Sequence, residues 1–193
     1  VGLLATFGIG SCRVHQKPII RVITVGDELV SYGKAHGGSC IFDSVGPALL
    51  SWCRELGIPN ITLQRAGDNK RSLMDAVGKA VKQADVIITV GGVSVGDYDI
   101  TKLVLDGCGF RRRYWQVAIK PGKPNYFGVL ESGKRRKQLA FGLPGNPVSA
   151  LVSFHWLVKP ALLKMMGGHD LYPAKFCATL TSTLKKEPGR LEF

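Results

Sequence analysis

The stretch from Asp85 to Asp99, DVIITVGGVSVGDYD, constrains the fold of this chain more than any other. It opens with apolar and β-branched residues, a composition that favours a strand buried on both faces of a sheet. A glycine-rich turn follows, and an apolar periodic segment from Ile100 then indicates a helix. This order predicts an anion-binding loop, because glycines let a ligand approach the backbone and helix N–H groups attract negative charge. The alternative is a tight turn that needs glycine for its backbone angles.

Segments with strand and helix character alternate along most of the chain. Strand-like runs begin near Ile19 and Asn60, and helical periodicity lies between Ser44 and Gly57 and again over 71–83. This alternation predicts an α/β fold, in which a three-layer, mostly parallel sheet is flanked by helices.

The second half of the domain has fewer regular signals. Residues 114–119 have the composition of a strand, and 126–130 with 138–141 predict a hairpin around a basic tip. A long helix is expected from Val148 towards Met166, and Pro160 should kink it.

The C-terminal residues differ in pattern from the rest. Gly167-Gly168 and Pro173 predict a linker, and the alternation of apolar and polar residues from Ala174 to Leu184 predicts an antiparallel strand. Since the chain starts without Met and stops within an apparent strand, we expect a piece of a longer protein. The expected divisions are an N-terminal segment (1–18), an α/β domain (19–167), and a linker with the truncated start of a C-terminal β domain (168–193).

Bulk properties restrict the class of ligand. The formal net charge is +12, which favours anionic partners. The basic runs lack interleaved aromatic residues, and no nucleic-acid-binding motif is present, so we expect a small phosphorylated or oxyanion ligand and no nucleic acid.

The five cysteines have no CxxC spacing, and no signal peptide or membrane-spanning run occurs. These features predict a reducing, cytoplasmic location without membrane contact.

Carboxylates follow the ends of several predicted strands. Asp27 and Glu28 follow the first strand, Asp68 the second, and Ser94 and Asp99 the third. The carboxyl ends of parallel strands share one rim, where such folds bind ligands. Crowded carboxylates need a cation, and oxygen-only ligation suits Mg²⁺, which in turn implies a phosphate or pyrophosphate ligand. Taken singly, each acid is more easily explained as a helix cap.

Two further motifs lie in the C-terminal half. In the segment 120–124, KPGKP, two prolines and a glycine restrict the loop that carries Lys120 and Lys123. Two ammonium groups with backbone N–H donors would form an oxyanion pocket, although ordinary surface lysines are the alternative. Asn146 and Pro147 suit the N-cap and first turn of the last helix.

Together these motifs closely resemble the molybdopterin molybdotransferases of the MoeA type, which are similar to the gephyrin E domain. The resemblance spans about residues 19–166, and the segment GRLEF (189–193) resembles the start of that family's C-terminal domain. The motifs are GDEL (26–29), IFDS (41–44), GGVSVGDYD (91–99), KPGKP (120–124) and GLPGNPVSA (142–150).

The resemblance implies a function in molybdenum cofactor biosynthesis. Members of this family insert molybdate into adenylylated molybdopterin and release AMP, with Mg²⁺ required, and the resemblance implies a homodimer for the full-length protein. It leaves two alternatives: a MogA-type molybdopterin adenylyltransferase, which shares the α/β fold, and a gephyrin-like scaffold without enzymatic activity.

The resemblance also assigns roles to individual positions. The chain departs from the family pattern at Val25, where Ser or Thr is usual, and at Asn69, where a second Asp is usual. The implied catalytic residues are Asp99, Ser94 and Asp68, and the implied metal ligands are Glu28, Asp68 and Asp99. The implied substrate-binding residues are Gly26, Asp27, Asp43, Ser44, Gly91, Gly92, Gly145 and Asn146. The implied molybdate-binding residues are Lys120, Lys123, Pro124, Ser149 and Arg190.

Overall fold

The structure is a computed structural model that describes residues 1–33, 38–93, 99–132, 136–183, 186 and 188–193. The strands are β1 (Ile20–Val25), β2 (Leu29–Val30), β3 (Ile41–Phe42), β4 (Ile61–Ala66), β5 (Val86–Val90), β6 (Arg111–Trp115), β7 (Ile119–Lys120), β8 (Tyr126–Ser132), β9 (Arg136–Leu143) and β10 (Leu191–Glu192). The helices are α1 (Gly2–Thr6), α2 (Val45–Glu55), α3 (Lys70–Val81), α4 (Ile100–Gly107), α5 (Pro147–Ser153) and α6 (Lys159–Met165), with a π-helical turn (Phe154–Val158) between the last two.

The central sheet has the strand order β4-β1-β5-β9-β8-β6. Strands β4, β1, β5 and β9 are parallel, and β8 is antiparallel to both of its neighbours. The register pairs Val25 with Ala66, Thr24 with Val90, and Val90 with Leu143. The prediction of a mostly parallel α/β sheet is therefore confirmed, and the carboxyl ends of four strands meet at one rim.

Apolar layers cover both faces of the sheet. On one face, Leu49 and Cys53 of α2 pack with Val86 and Ile88 of β5. On the other face, Ile87 of β5 packs with residues of α3 and α4. Because alternate residues of a strand point to opposite faces, β5 contributes to both layers, as its continuous apolar run predicts.

The long C-terminal helix is interrupted, as predicted from Pro160, but by a different geometry. The chain forms α5, then a π-helical turn, and α6 begins one residue before Pro160. Proline lacks an N–H donor and its ring clashes with the preceding turn of an α-helix. The π-helical turn, which ends at Val158, takes the place of the α-helical turn with which the ring would clash.

Two strand predictions need correction. Residues 174–183 form no strand among the described residues and are exposed, so the prediction from their alternation is wrong. An alternating pattern forms a strand only when a partner strand supplies hydrogen bonds, and none pairs with this segment in the described part of the chain. The strand predicted over 114–119 instead covers Arg111–Trp115 and ends where Gln116 has a φ of 146°.

Strand β6 forms one edge of the central sheet. Its residues Arg111, Arg112 and Arg113 are exposed, and the register against β8 shifts between Arg112 and Tyr114.

Within the described ranges, no helix combines the length and apolar character needed to cross a bilayer.

The core packing leads to a stability prediction. Leu49 of α2 is 0% exposed, in the apolar layer between this helix and the sheet. Leu49→Ala should therefore lower the free energy of unfolding by about 2–5 kcal/mol, through lost burial and a residual cavity. Leu103, also in a helix, is 47% exposed, and Leu103→Ala should cost less than about 1 kcal/mol. Urea denaturation of both variants measures the difference, and equal losses would contradict the assigned packing.

Candidate functional site

A cavity of about 470 Å³ opens at the carboxyl ends of β1 and β5. We call it the rim cavity, and its volume is in the range of small-molecule sites. It lies where the parallel strands end, as the α/β rule predicts. Its lining residues are Thr24, Val25, Gly26, Glu28, Leu29, Ile41, Phe42, Asp43, Ser44, Val45, Asp68, Val90, Gly91, Gly92, Val93, Ile100, Gly145 and Pro147.

The glycine pair after β5 forms the floor of the rim cavity. Gly91 has a φ of +86°, and a Cβ built there would lie 2.6 Å from the carbonyl oxygen of Val25. The Gly91 amide donates to the Leu143 carbonyl at 3.0 Å, and the Gly91 carbonyl accepts from Thr101 Oγ1 at 3.0 Å. A side chain at this position would therefore collide with the backbone of β1. The predicted catalytic residue Ser94 lies outside the described residues.

The loops after β1 and β4 bring carboxylates to the same cavity. Glu28 and Asp68 both line it and are exposed. The Glu28 carboxylate lies over Gly26, where an added Cβ would be 2.5 Å from Glu28 Oε2. Asp27 does not line the cavity, but its Oδ1 accepts from the Asp68 amide at 3.2 Å and so ties the two loops together.

Asp43 forms a second, buried link in the cavity wall. Its Oδ2 accepts from Thr24 Oγ1 at 2.8 Å, and its Oδ1 accepts from the Gly46 amide at 2.8 Å. The carboxylate thus joins the end of β1 to the first turn of α2, as an acidic residue at a helix N-terminus does. Ser44, its neighbour, is exposed and lines the cavity.

Asp99 lies behind the cavity and not on its wall. It is 0% exposed and caps α4, since its Oδ1 accepts from the Lys102 amide at 2.8 Å. Its Oδ2 accepts from Trp115 Nε1 at 2.7 Å, and the Lys102 ammonium lies 4.0 Å from the centre of the Trp115 ring. Both oxygens therefore have protein donors, and the assignment of Asp99 to catalysis and metal binding stays a prediction.

The acidic residues of the rim cavity supply some, but not all, of the ligands that a magnesium ion needs. Among the described residues, no three His, Cys, Asp or Glu side chains are grouped so that they could hold a metal ion. Mg²⁺ in nucleotide and phosphate sites, however, is usually bound by one or two carboxylates together with water and substrate phosphate. Glu28 and Asp68, which share the rim cavity, supply such a pair.

The residues predicted to bind oxyanions form a separate group. We call residues 120–124 the lysine loop; it leaves β7, which pairs with β10, and Lys120 Nζ lies 3.3 Å from Glu192 Oε1. Lys123 is exposed, whereas Pro124, Ser149 and Arg190 are half-buried. Of these predicted molybdate-binding residues, none lines the rim cavity.

Helix α5 connects the two groups. Asn146 is its N-cap, as predicted, and Asn146 Oδ1 accepts from the Ser149 amide at 3.1 Å. Gly145 lines the rim cavity, and a Cβ there would lie 3.4 Å from the Gly91 Cα. The first turn of α5 therefore has the glycine floor on one side and carries Ser149 towards the lysine loop.

Sequence reasoning missed some of the lining residues. Ile41 and Phe42 are 56% and 48% exposed and form an apolar part of the cavity wall. Thr24 and Thr101 hold Asp43 and Gly91 in place from within buried elements. Apolar residues beside Asp43 were a visible signal for the wall, whereas the threonine contacts depend on the packing of distant elements.

Thiol chemistry is an unsuitable explanation for this site. All five cysteines are free, and none lines the rim cavity. Burial raises the pKa of the Cys53 thiol to about 12, so it stays protonated at neutral pH.

Comparison with known proteins points to one family. The chain matches the family model described as "Probable molybdopterin binding domain" over residues 21–164. It is 41% identical over 192 residues to the molybdopterin molybdenumtransferase of Haemophilus influenzae, a match that covers 99% of this chain and 46% of that protein. It is 32% identical over 186 residues to the molybdopterin molybdenumtransferase of Staphylococcus epidermidis, covering 96% of this chain and 43% of that protein.

A solved structure shows the same architecture. The crystal structure of the molybdopterin biosynthesis MoeA protein from Pyrococcus horikosii superposes with a TM-score of 0.73 at 35% sequence identity. The superposition covers 86% of this chain and 40% of that chain. The chain thus spans a little under half the length of the proteins it is compared with.

The glycine floor of the rim cavity yields a prediction. Gly91→Ala should lower the free energy of unfolding by about 1 kcal/mol or more, because its φ is +86° and the new Cβ would meet the Val25 oxygen. Gly78, in α3, has nothing within 4 Å of an added Cβ, so Gly78→Ala should raise stability by about 0.5–1 kcal/mol. Thermal and urea unfolding measure both changes. A Gly91→Ala variant as stable as the parent would show that the floor is not closely packed.

Proposed function

Since the chain belongs to the family of probable molybdopterin-binding domains, we propose that it acts in molybdenum cofactor biosynthesis as a molybdopterin molybdenumtransferase. The proposed reaction is insertion of molybdate into adenylylated molybdopterin with release of AMP. The observation that carries the proposal is the rim cavity, which is lined both by the closely packed glycine floor and by two carboxylates, Glu28 and Asp68.

The rim cavity suits a phosphorylated ligand with a planar ring. Gly91 and Gly92 line the cavity, so a phosphate would meet backbone there and no side chain. The exposed side chains of Ile41 and Phe42 offer an apolar surface against which a pterin or adenine ring would pack. Ser44, Gly26 and Gly145 line the remaining wall.

In this proposal, Glu28 and Asp68 hold Mg²⁺ together with the phosphates of the substrate. Bound there, Mg²⁺ would neutralise phosphate charge and polarise the bond that is broken when AMP leaves. Asp27 orients the Asp68 loop through the Asp68 backbone amide, and Asp43 fixes the wall where β1 ends and α2 begins. Asp99 fixes the start of α4 behind the glycine floor.

The proposed molybdate pocket lies at the lysine loop. Lys120, Lys123 and Arg190 supply positive charge and Ser149 a hydroxyl, and these groups bind oxyanions through charge-assisted hydrogen bonds. The Lys120 ammonium is partly neutralised by Glu192, so Lys123 is the more available cation of the two lysines. Molybdate is a substrate in this proposal and not a resident metal.

The family resemblance leaves two alternative functions. A MogA-type adenylyltransferase has less support, because the curated relatives described above are molybdenumtransferases. A scaffold without activity is distinguished by the absence of AMP release.

We further propose, from the family resemblance, that the full-length protein is a cytoplasmic homodimer.

The test of this function is AMP release. The protein is incubated with adenylylated molybdopterin, Mg²⁺ and molybdate, and AMP is quantified. Asp68→Asn should lower the rate about 100-fold or more, because it removes a charged ligand beside the phosphates. Asp75→Asn, on an exposed position of α3, should keep the parent rate. A parent protein that binds adenylylated molybdopterin without releasing AMP would favour the scaffold instead.

The lysine loop gives an independent prediction. Lys123→Ala should weaken molybdate binding about tenfold, because a charge-assisted hydrogen bond is lost. Lys79→Ala removes an exposed lysine of α3 and should leave the affinity unchanged. Isothermal titration calorimetry with sodium molybdate measures both. Equal affinities for the two variants would place the oxyanion elsewhere.

A further inference from the structure

Asn125 follows the lysine loop and is 0% exposed. Its Nδ2 donates to the Gly122 carbonyl within the loop, and also to Ser153 Oγ at 3.0 Å. Ser153 Oγ in turn donates to the Ser149 carbonyl at 2.7 Å. A continuous series of hydrogen bonds therefore runs from the lysine loop, through one buried amide, to the helix that carries Ser149.

The backbone of the loop packs directly on the same helix. Gly122 has a φ of +105°, and a Cβ added there would lie 2.9 Å from Ser153 Oγ and 3.3 Å from the Ser149 carbonyl oxygen. A larger residue would push the loop away from α5. The contact and the hydrogen bonds thus hold the same two segments together.

The orientation of the Asn125 amide follows from its partners. Gly122 presents a carbonyl oxygen, which needs a donor, so exchanging the amide oxygen and nitrogen would place two acceptors face to face. The other amide atom, Asn125 Oδ1, is buried and has no hydrogen-bond partner among the described residues. A buried oxygen without a partner lowers stability. An apolar side chain of similar size would avoid that loss, so the amide is better explained by what its donor group holds in place.

We propose that Asn125 is a positioning residue, which fixes the lysine loop against α5 so that Lys123 and Ser149 face one oxyanion. This inference rests on the proposed molybdate pocket and adds to it a residue outside the KPGKP motif. Asn125 need not touch the oxyanion. It acts by setting the distance between the two segments that do.

A matched control is present elsewhere in the chain. Gln138 is 2% exposed, and its Nε2 donates to the Val81 carbonyl at 2.7 Å and to the Ala84 carbonyl. It is thus another buried amide that joins two backbone segments. It precedes Leu139, which pairs with Val86 at the amino end of β5, so it lies at the opposite end of the sheet from the rim.

The experiment compares Asn125→Leu, Ser153→Ala and Gln138→Leu with the parent chain. Sodium molybdate is titrated into each by calorimetry, and urea unfolding is measured in parallel. Asn125→Leu should weaken molybdate binding about tenfold, and Ser153→Ala, which breaks the same link from the helix side, should weaken it several-fold. Gln138→Leu should lose stability yet bind molybdate within about twofold of the parent, because its lost hydrogen bonds are remote from the loop.

The outcomes separate this inference from the function on which it rests. If the parent binds molybdate and both Asn125→Leu and Ser153→Ala bind it equally well, Asn125 is not a positioning residue and the proposed pocket stands. An equal loss of affinity in Gln138→Leu would also overturn the inference, since the loss would then follow stability alone. If the parent binds no molybdate, the proposed pocket itself is wrong, and the inference falls with it. Should Asn125→Leu fail to fold, the comparison of Ser153→Ala with Gln138→Leu decides.

Discussion

The hydrogen bond from the Gly91 amide to the Leu143 carbonyl joins the ends of two neighbouring parallel strands, and much of the site depends on it. It holds Gly91 so close to the Val25 carbonyl that no side chain fits between them. The carboxyl ends of β1, β5 and β9 are thereby brought together at one rim. The carboxylates of Glu28 and Asp68 reach the cavity only because the loops that carry them start from this rim. A sheet with another register would contain the same residues without forming the same cavity.

A second level of organisation lies in helix α5. Its first turn packs beside the glycine floor, whereas its later residues receive the lysine loop through Ser153 and Asn125. One short helix therefore sets the separation between the proposed phosphate site and the proposed oxyanion site. Two sites that share a rigid element keep their spacing when either is occupied. This arrangement is consistent with a reaction in which both ligands must react with each other.

Much of this could be predicted from local sequence, and the exceptions have a common cause. Strand β5 forms in the apolar run that predicts it, and the glycine pair, Glu28 and Asp68 meet where the strand ends meet, because burial and periodicity are local signals. The hydrogen bonds of Asp99 with Trp115 and of Asn125 with Ser153 join residues that are 16 and 28 positions apart. Such contacts depend on how elements pack. The strand predicted from Ala174 does not form among the described residues for the same reason, because an alternating sequence pattern does not provide a partner strand.

The arginines on β6 have a consequence for how copies of this chain behave at high concentration. An edge strand presents unpaired backbone groups that could pair with the same edge of another molecule and start aggregation. Here that edge carries Arg111, Arg112 and Arg113, and the register shift beside them makes the strand irregular. Two such edges would repel each other when brought together. The part of the net charge that lies on this strand therefore opposes edge-to-edge association, whatever anion the rest of the chain binds.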